Sequence, residues 1–526
     1  ALKALQKAGI VELTEVETLR TPYRASDGAR AQAPELTVAQ KSAAERIVAA
    51  MDGGGGRFLL LGVTGSGKTE VYIRAVKHAL STGRTAIVLV PEIALTPQMV
   101  DWFRARFGTD AAVMHSSLSP GERYDEWRRL RTGRAKVAIG PRSAVFAPLA
   151  NLGLIVVDEE HEHTYQSDRH PCYDARDVAR YRCRQENAVL VLGSATPSIA
   201  SFMRTRPGVK PENALELVDL PDRIPGSRLP EVEIVDMSKE FALGNRSIFS
   251  AKLQDAMSDC LARGHQAILF LNRRGYATFV SCRACGHVEK CAACDVSMTY
   301  HQSDALMRCH YCGATRRPPE KCPACGSPSI RFFGAGTQKV AEETQKLFPD
   351  ARVLRMDMDT TRGRDAHEKL LSAFRKGEAD ILIGTQMIAK GLDFPGVTLV
   401  GVIAADMALN LPDYRSAERT FQLITQVSGR AGRAKNPGLV IVQTYQPDNY
   451  AIRLAARQDY RAFYEQESKL RRRALYPPFT LLTRLVVTAK DEAAARETAL
   501  ALDAELAEWL ETTGLEKGVL YRHARE

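Results

Sequence analysis

Short unbroken apolar runs, each the length of a buried strand, alternate along the chain with stretches whose apolar residues recur at helical spacing. Between about Leu36 and Ser198 the runs are Phe58–Leu61, Thr85–Val90, Lys136–Ile139, Leu154–Val157 and Val189–Leu192. Continuous hydrophobicity marks strands buried on both faces, and helical stretches between them predict a parallel sheet covered on both sides. A second block of the same kind opens near Ser250, with runs at Ala267–Leu271, Arg352–Met356, Ile381–Gly384, Thr398–Ile403 and Leu439–Gln443. The proline-rich stretch Pro207–Pro230 reads as a break between the blocks. Residues 1–20 read as a helix end stopped at Gly9, then an alternating strand through Val11, Leu13 and Val16; Thr21–Pro34 reads as a linker. Near the C-terminus the pattern predicts a strand at Leu481–Thr488 and a helix around Asp491–Leu510.

Length and composition narrow this little: 526 residues, 45% hydrophobic and 25% charged, describe an ordinary globular chain and exclude disorder or a pure coiled coil. No apolar run approaches the roughly 20 residues of a spanning helix, so no membrane segment is expected. Residue 1 is Ala and no secretory pattern opens the chain, which is expected to be a fragment. The formal charge of +10 makes polyanions plausible partners, though it is mild for this length.

The first run ends in Gly62-Val-Thr-Gly65-Ser66-Gly67-Lys68-Thr69 and a helical pattern follows. Glycines let backbone N–H groups curl around phosphate oxygens, and the helix start adds its positive end. Gly62, Gly65, Ser66, Gly67, Lys68 and Thr69 are therefore the candidate ATP cradle, with Lys68 on the β- and γ-phosphates and Thr69 on Mg²⁺. The run Leu154–Val157 ends in Asp158-Glu159-Glu160-His161, which offers Asp158 to Mg²⁺ and Glu159 to orient or deprotonate the attacking water. Gln40, just upstream, is a candidate reader of adenine. Beyond the acidic motif, aromatic and basic residues interleave, and Tyr165, Arg169, Tyr173 and Arg176 suit base stacking with phosphate pairing.

Eight of the eleven cysteines form four C-x-x-C pairs: Cys282/Cys285, Cys291/Cys294, Cys309/Cys312 and Cys322/Cys325. That density argues for metal thiolates in a reducing compartment. Five residues separate the first two pairs and fourteen separate the second and third, near zinc-ribbon spacing. Cys291, Cys294, Cys309 and Cys312 are thus expected to hold one Zn²⁺, with Cys282, Cys285, Cys322 and Cys325 closing a second site. Two structural S₄ zinc sites result, with an iron–sulfur cluster as the alternative.

The ordered set Gly65-Ser-Gly-Lys-Thr69, Asp158-Glu-Glu-His161, Ser194-Ala-Thr196 and Gln426-Val-Ser-Gly-Arg-Ala-Gly-Arg433 resembles superfamily 2 helicases. The resemblance implies an α/β fold of two RecA-like (P-loop) lobes clamping ATP, with Arg430 as arginine finger and Arg433 contacting phosphate or coupling the lobes. With the cysteine insert, Val90–Thr96, Gly140–Ser143, Asn272–Tyr276 and Tyr476-Pro-Pro-Phe479, the chain is similar to the primosomal N′ family of bacterial replication-restart DNA helicases. That family implies a 3′→5′ ATP-dependent helicase at stalled forks, cytoplasmic and nucleoid-associated, with DNA, primosome proteins and single-stranded DNA-binding protein as partners. It also implies these boundaries: a winged-helix remnant at 1–24, a linker at 25–34, lobe 1 at 35–225, and lobe 2 at 226–280 and 327–450. The two-zinc insert falls at 281–326 and a truncated α+β C-terminal domain at 451–526. Measured against that family, the sequence as given is expected to lack the N-terminal domain that binds a nascent 3′ end. Two other readings stay open: an ATP-regulated fork-binding scaffold with little unwinding, and a translocase that does not separate strands.

Overall fold

The computed structural model describes residues 2–10, 12, 20, 35–91, 97–116, 118–167, 170–224, 229–271, 278–301, 305–332, 336–357, 366–385, 388, 394–431, 438–483 and 485–513. By internal packing the chain divides into two compact units. The first comprises Ala1–Leu60, Gly67–Ser194 and Glu216–Leu220, and the second Leu61–Ser66, Ala195–Leu215 and Pro221–Glu526.

In the first unit, helices α1 (Leu2–Lys7), α2 (Val38–Asp52), α3 (Lys68–Ser81), α4 (Pro97–Phe107), α5 (Pro120–Arg131) and α6 (Ala175–Gln185) accompany seven strands. These are β1 (Gly56–Gly62), β2 (Thr85–Leu89), β3 (Ala111–Val113), β4 (Val137–Gly140), β5 (Leu152–Asp158), β6 (Val189–Ser194) and β7 (Glu216–Leu220), in the spatial order β3-β4-β2-β5-β6-β1-β7. The pairs β3/β4, β4/β2, β2/β5 and β5/β6 are parallel. Each predicted run became a strand because its side chains are covered on both faces: Leu59, Ile87, Val88, Ile155 and Val191 have no exposed surface. The order reverses between β5 and β6 on one side and β1 on the other, so the loops after β1 and β5 share the carboxyl edge where such sheets bind ligands. One expectation is corrected here. The stretch Pro207–Pro230 is no simple break, since β7 forms within it and completes this sheet, with Val218 and Leu220 buried between exposed neighbours.

The second unit adds α7 (Ile199–Met203), α8 (Met237–Ala242), α9 (Ala251–Ala262), α10 (Thr337–Leu347), α11 (Ala366–Arg375), α12 (Asp406–Leu409), α13 (Ser416–Ser428), α14 (Tyr450–Ala456), α15 (Tyr460–Arg473) and α16 (Glu492–Thr512). Its main sheet holds β8 (Glu231–Asp236), β9 (Gln266–Leu271), β15 (Val353–Met356), β16 (Ile381–Gly384), β17 (Val397–Ile403) and β18 (Leu439–Thr444), ordered β15-β16-β9-β17-β18-β8 and parallel throughout. Between β9 and β15 the cysteine block forms its own antiparallel sheet. It comprises β10 (Thr278–Cys282), β11 (Thr299–His301), β12 (Leu306–Arg308), β13 (Thr315–Arg316) and β14 (Ile330–Phe332).

The C-terminal helix is present as α16, but the described residues of Leu481–Thr488 form no strand. Alternation of apolar side chains does not by itself make a strand, and Leu481, Leu485 and Val486 remain exposed. The N-terminal strand expected at Val11, Leu13 and Val16 lies outside the described residues. No helix among the described residues is long and apolar enough to cross a membrane.

Candidate functional site

The phosphate-binding loop follows β1 directly. Gly65 and Gly67 have φ of +82° and +74°, left-handed values that strain any residue with a Cβ, and Gly67 caps α3. Ser66 N–H donates to Val63 O at 3.0 Å, closing the turn, so α3 begins at Lys68 and its first N–H groups open toward the loop. This is a helix start suited to an anion.

Asp158 ends β5 within Coulombic reach of Lys68. Burial, reinforced by the neighbouring Glu159 charge, pushes its carboxyl up to about 6, against the pull of Lys68 and a hydrogen bond from Tyr72. The Tyr72 hydroxyl donates to Asp158 Oδ1 at 3.0 Å, and the Tyr165 hydroxyl donates to the Asp158 carbonyl at 2.6 Å. Glu159 adopts φ +46°, which turns the chain sharply, and its Oε2 makes no hydrogen bond but lies 3.6 Å from His161 Nδ1. A cation on Asp158 would relieve the crowding of its charge with that of Glu159, and the Glu159 carboxylate keeps an oxygen free of hydrogen bonds for a water, so these residues fit Mg²⁺ and an attacking water. His161 Nδ1 lies 2.7 Å from Ser194 Oγ, which joins the acidic motif to the end of β6.

The second half of the motif set lies in the second unit, as does the segment Leu61–Ser66. A Cβ added to Gly429, at the end of α13, would come within 2.4 Å of Thr64 Cγ2, so glycine alone permits this approach to the phosphate loop. Arg430 follows at once, half-buried, its N–H donating to Val427 O at 3.0 Å. Arg433 lies outside the described residues.

Two assignments from the sequence change. Tyr165 has no exposed surface and braces Asp158, so it does not stack on a base in this conformation. Arg176 is held by Asp174, at 2.6 Å, and by the Glu160 carbonyl, at 2.7 Å, which makes it a structural tie rather than a phosphate contact. Gln40, the adenine candidate, also has a local engagement: its Oε1 accepts from Thr37 N–H at 2.9 Å in a capping box, the Thr-x-x-Gln spacing of Thr37–Gln40. Arg169 lies outside the described residues. Tyr173 is half-buried, edge-on to Phe146 at 5.0 Å with the Arg142 guanidinium 5.7 Å from its ring. Tyr72 went unremarked in the sequence, where it reads as one more apolar position on α3.

The cysteines gather as the spacing predicts. Cys282, Cys285, Cys322 and Cys325 form one group and Cys291, Cys294, Cys309 and Cys312 another, each with its sulfurs within 4.8 Å of one another. Sulfur separations of 3.7 Å (Cys282/Cys325), 3.6 Å (Cys285/Cys322) and 3.5 Å (Cys291/Cys312) are far too long for disulfides. They match the roughly 3.8 Å edge of a tetrahedron with 2.3 Å metal–sulfur bonds. An iron–sulfur cluster spreads its thiolates over several irons and needs wider spacing, so the donor set fits single Zn²⁺ ions. Tyr311 N–H donates to Cys309 Sγ at 3.4 Å, a bond that supports a thiolate.

Three family models match the chain: DEAD/DEAH box helicase over residues 37–204, PriA DNA helicase Cys-rich region (CRR) domain over 291–317, and helicase conserved C-terminal domain over 328–435. The chain is 50% identical to the replication restart protein PriA of Bacillus subtilis, over 95% of its own length and 61% of the relative's. It is 49% identical to that of Synechocystis (95% and 60%) and 44% identical to that of Treponema pallidum (90% and 70%). It thus spans about three fifths of the first two relatives. Among solved structures, RecG bound to a three-way DNA junction is similar in fold, with TM-score 0.50 at 17% identity, covering 89% of this chain and 50% of that one.

Proposed function

Because the chain belongs to the PriA replication-restart family, we propose that it is the motor of an ATP-dependent DNA helicase that moves 3′→5′, separates strands at stalled or abandoned forks and starts primosome assembly. DNA, primosome proteins and single-stranded DNA-binding protein are its partners in this reading, and the nucleoid in the cytoplasm is its place. The observation that carries the proposal is Asp158, at the end of β5, within Coulombic reach of Lys68, the first residue of the helix that follows the phosphate loop.

The residues divide the work. The N–H groups around Gly65–Thr69 and the Lys68 ammonium hold the phosphates, while Thr69 and Asp158 hold Mg²⁺. That ion, when bound, supplies positive charge on the transferring phosphoryl. Glu159 orients the water and accepts its proton, with Tyr72 and Tyr165 fixing the neighbouring Asp158. Arg430 supplies a guanidinium in the transition state and Arg433 a second phosphate contact. Gln40, its amide orientation set by the capping box, reads adenine. Of the aromatic-rich segment, Tyr173 keeps the DNA role, next to the exposed Phe146 ring, with Arg169 beside it in sequence.

ATP hydrolysis measured with and without single-stranded or forked DNA tests the proposal. A motor shows DNA-stimulated turnover; a chain that binds forks without hydrolysing ATP is the scaffold instead. DNA affinity should also fall steeply with salt, by roughly 10³-fold between 50 and 200 mM if about six phosphates are contacted. A flat response in fluorescence anisotropy contradicts a phosphate track.

Two Zn²⁺ ions held by the two cysteine groups shape the insert structurally, all four positions of each being protein sulfur. The groups differ in access: Cys285 and Cys325 are exposed, whereas Cys291, Cys294 and Cys309 are buried. A chromogenic chelator should therefore release zinc in two phases, the site with Cys325 first. Replacing Cys291 and Cys294 by Ser should abolish the slow phase alone. Release in one phase from the unaltered chain would contradict the assignment.

A further inference from the structure

Within the second unit, contacts run without a gap from the cysteine insert to the turn after Ser194-Ala-Thr-Pro197. The Tyr476 hydroxyl donates to the Cys294 carbonyl at 2.9 Å. Its ring stacks on Tyr414, with centroids 5.2 Å apart and planes 19° off parallel, and meets Tyr311 edge-on at 6.1 Å. Tyr414 N–H donates to the Tyr311 hydroxyl at 3.0 Å, a second tie to the insert. The Arg471 guanidinium sits 5.1 Å from the Tyr414 ring and forks to Glu418 and Glu467, each at 2.7 Å. All three charged side chains are at least nine-tenths buried.

Glu418 then reaches back across 219 positions of sequence, its Oε1 accepting from Ile199 N–H at 2.9 Å. Ile199 opens α7, and its N–H is one of the donors a helix start leaves without an internal acceptor. One turn further along α13, Gln422 Nε2 donates to the Thr196 carbonyl at 3.3 Å. Two residues spaced i, i+4 on one face of α13 thus hold both sides of the Thr196–Ile199 turn, and the same helix runs on to Gly429 and Arg430.

A buried ion pair is a weak source of stability, because desolvation cancels most of the attraction and an apolar pair of equal volume serves as well. It does impose position: with one carboxylate oxygen on Arg471, the other has a single direction left. We propose that Glu418, held by Arg471, is a positioning residue for ATP hydrolysis, clamping the turn that carries Thr196 to the helix that delivers Arg430, and that Tyr476 and Tyr414 tie this clamp to the cysteine insert. This rests on the motor reading above. The insert acts on the reaction through this contact, at a distance from the phosphates.

Amide hydrogen exchange at Ile199–Met203 and DNA-stimulated ATP hydrolysis, measured on the same samples, test the clamp. Glu418→Ala should speed exchange at the α7 start by about ten- to a hundredfold, as loss of a charge-assisted bond implies. It should lower kcat by a similar order and leave KM for ATP within about twofold. Glu418→Gln, which keeps an acceptor for Ile199, should recover most of the exchange protection and covers the case of a misfolded alanine variant. Tyr476→Phe, which deletes only the hydroxyl on Cys294, should move both readouts the same way, and combining it with Glu418→Ala should add nothing further. Unchanged exchange and kcat in Glu418→Ala overturn the clamp, and full additivity in the double variant overturns its tie to the insert. Should the unaltered chain hydrolyse no ATP, the motor reading falls, and exchange at Ile199 alone decides whether the clamp exists.

Discussion

Replacing Lys68 by Ala should lower ATP hydrolysis by about 10²–10³, the scale on which single preformed charge-stabilising contacts act in other enzymes. Lys68 is nearly buried at the first position of α3, between the phosphate loop and Asp158. Its removal takes away the ammonium that meets the phosphates. It also removes a cation that offsets burial at Asp158, whose carboxyl then holds its proton more tightly and becomes a poorer metal ligand. Binding of single-stranded DNA in the absence of nucleotide should stay within about twofold, because the proposed DNA contact at Tyr173 does not use the Lys68 ammonium. A coupled ATPase assay and fluorescence anisotropy on the same preparation check both halves. Turnover like that of the unaltered chain would remove Lys68 from the chemistry.

The second large effect belongs to Arg430. Its loss as Arg430→Ala should cut kcat by about 10³–10⁵, as arginine fingers do elsewhere, with little change in KM for ATP. The asymmetry follows from timing: charge spreads over the phosphoryl oxygens only as the bond breaks, so a guanidinium placed there binds the transition state more tightly than the substrate. Gly429 is what brings this arginine to the loop. With Thr64 Cγ2 only 2.4 Å from where a Cβ would sit, even alanine at that position pushes the turn away from the phosphate-loop backbone.

Much of this was legible in the sequence, for identifiable reasons. Strands such as Phe58–Leu61 and Val189–Leu192 announce themselves because sheets covered on both faces demand unbroken apolar runs. The cysteine groups were legible because four ligands around one ion leave few pairings at these spacings. What stayed hidden depends on contacts between distant positions. Nothing near Glu418 points to Ile199, and nothing near Tyr72 points to Asp158, because both bonds exist only once strands and helices pack. Tyr165 misled for a related reason: an aromatic residue among basic ones looks like a stacking platform until the fold buries the ring and turns its hydroxyl to a backbone carbonyl. The strand expected at Leu481–Thr488 is absent among its described residues, because alternation alone does not make a strand without a paired neighbour.

The central claim is that Arg430 acts on the transition state of an ATP held by Lys68, Thr69 and Asp158. Affinity for ADP with aluminium fluoride, a mimic of the transferring phosphoryl, compared with affinity for a non-hydrolysable ATP analogue, tests it most directly. The account predicts that Arg430→Ala binds the ATP analogue within about threefold of the unaltered chain yet loses roughly 10³ in affinity for the transition-state mimic. Undiminished binding of the mimic by that variant would contradict it.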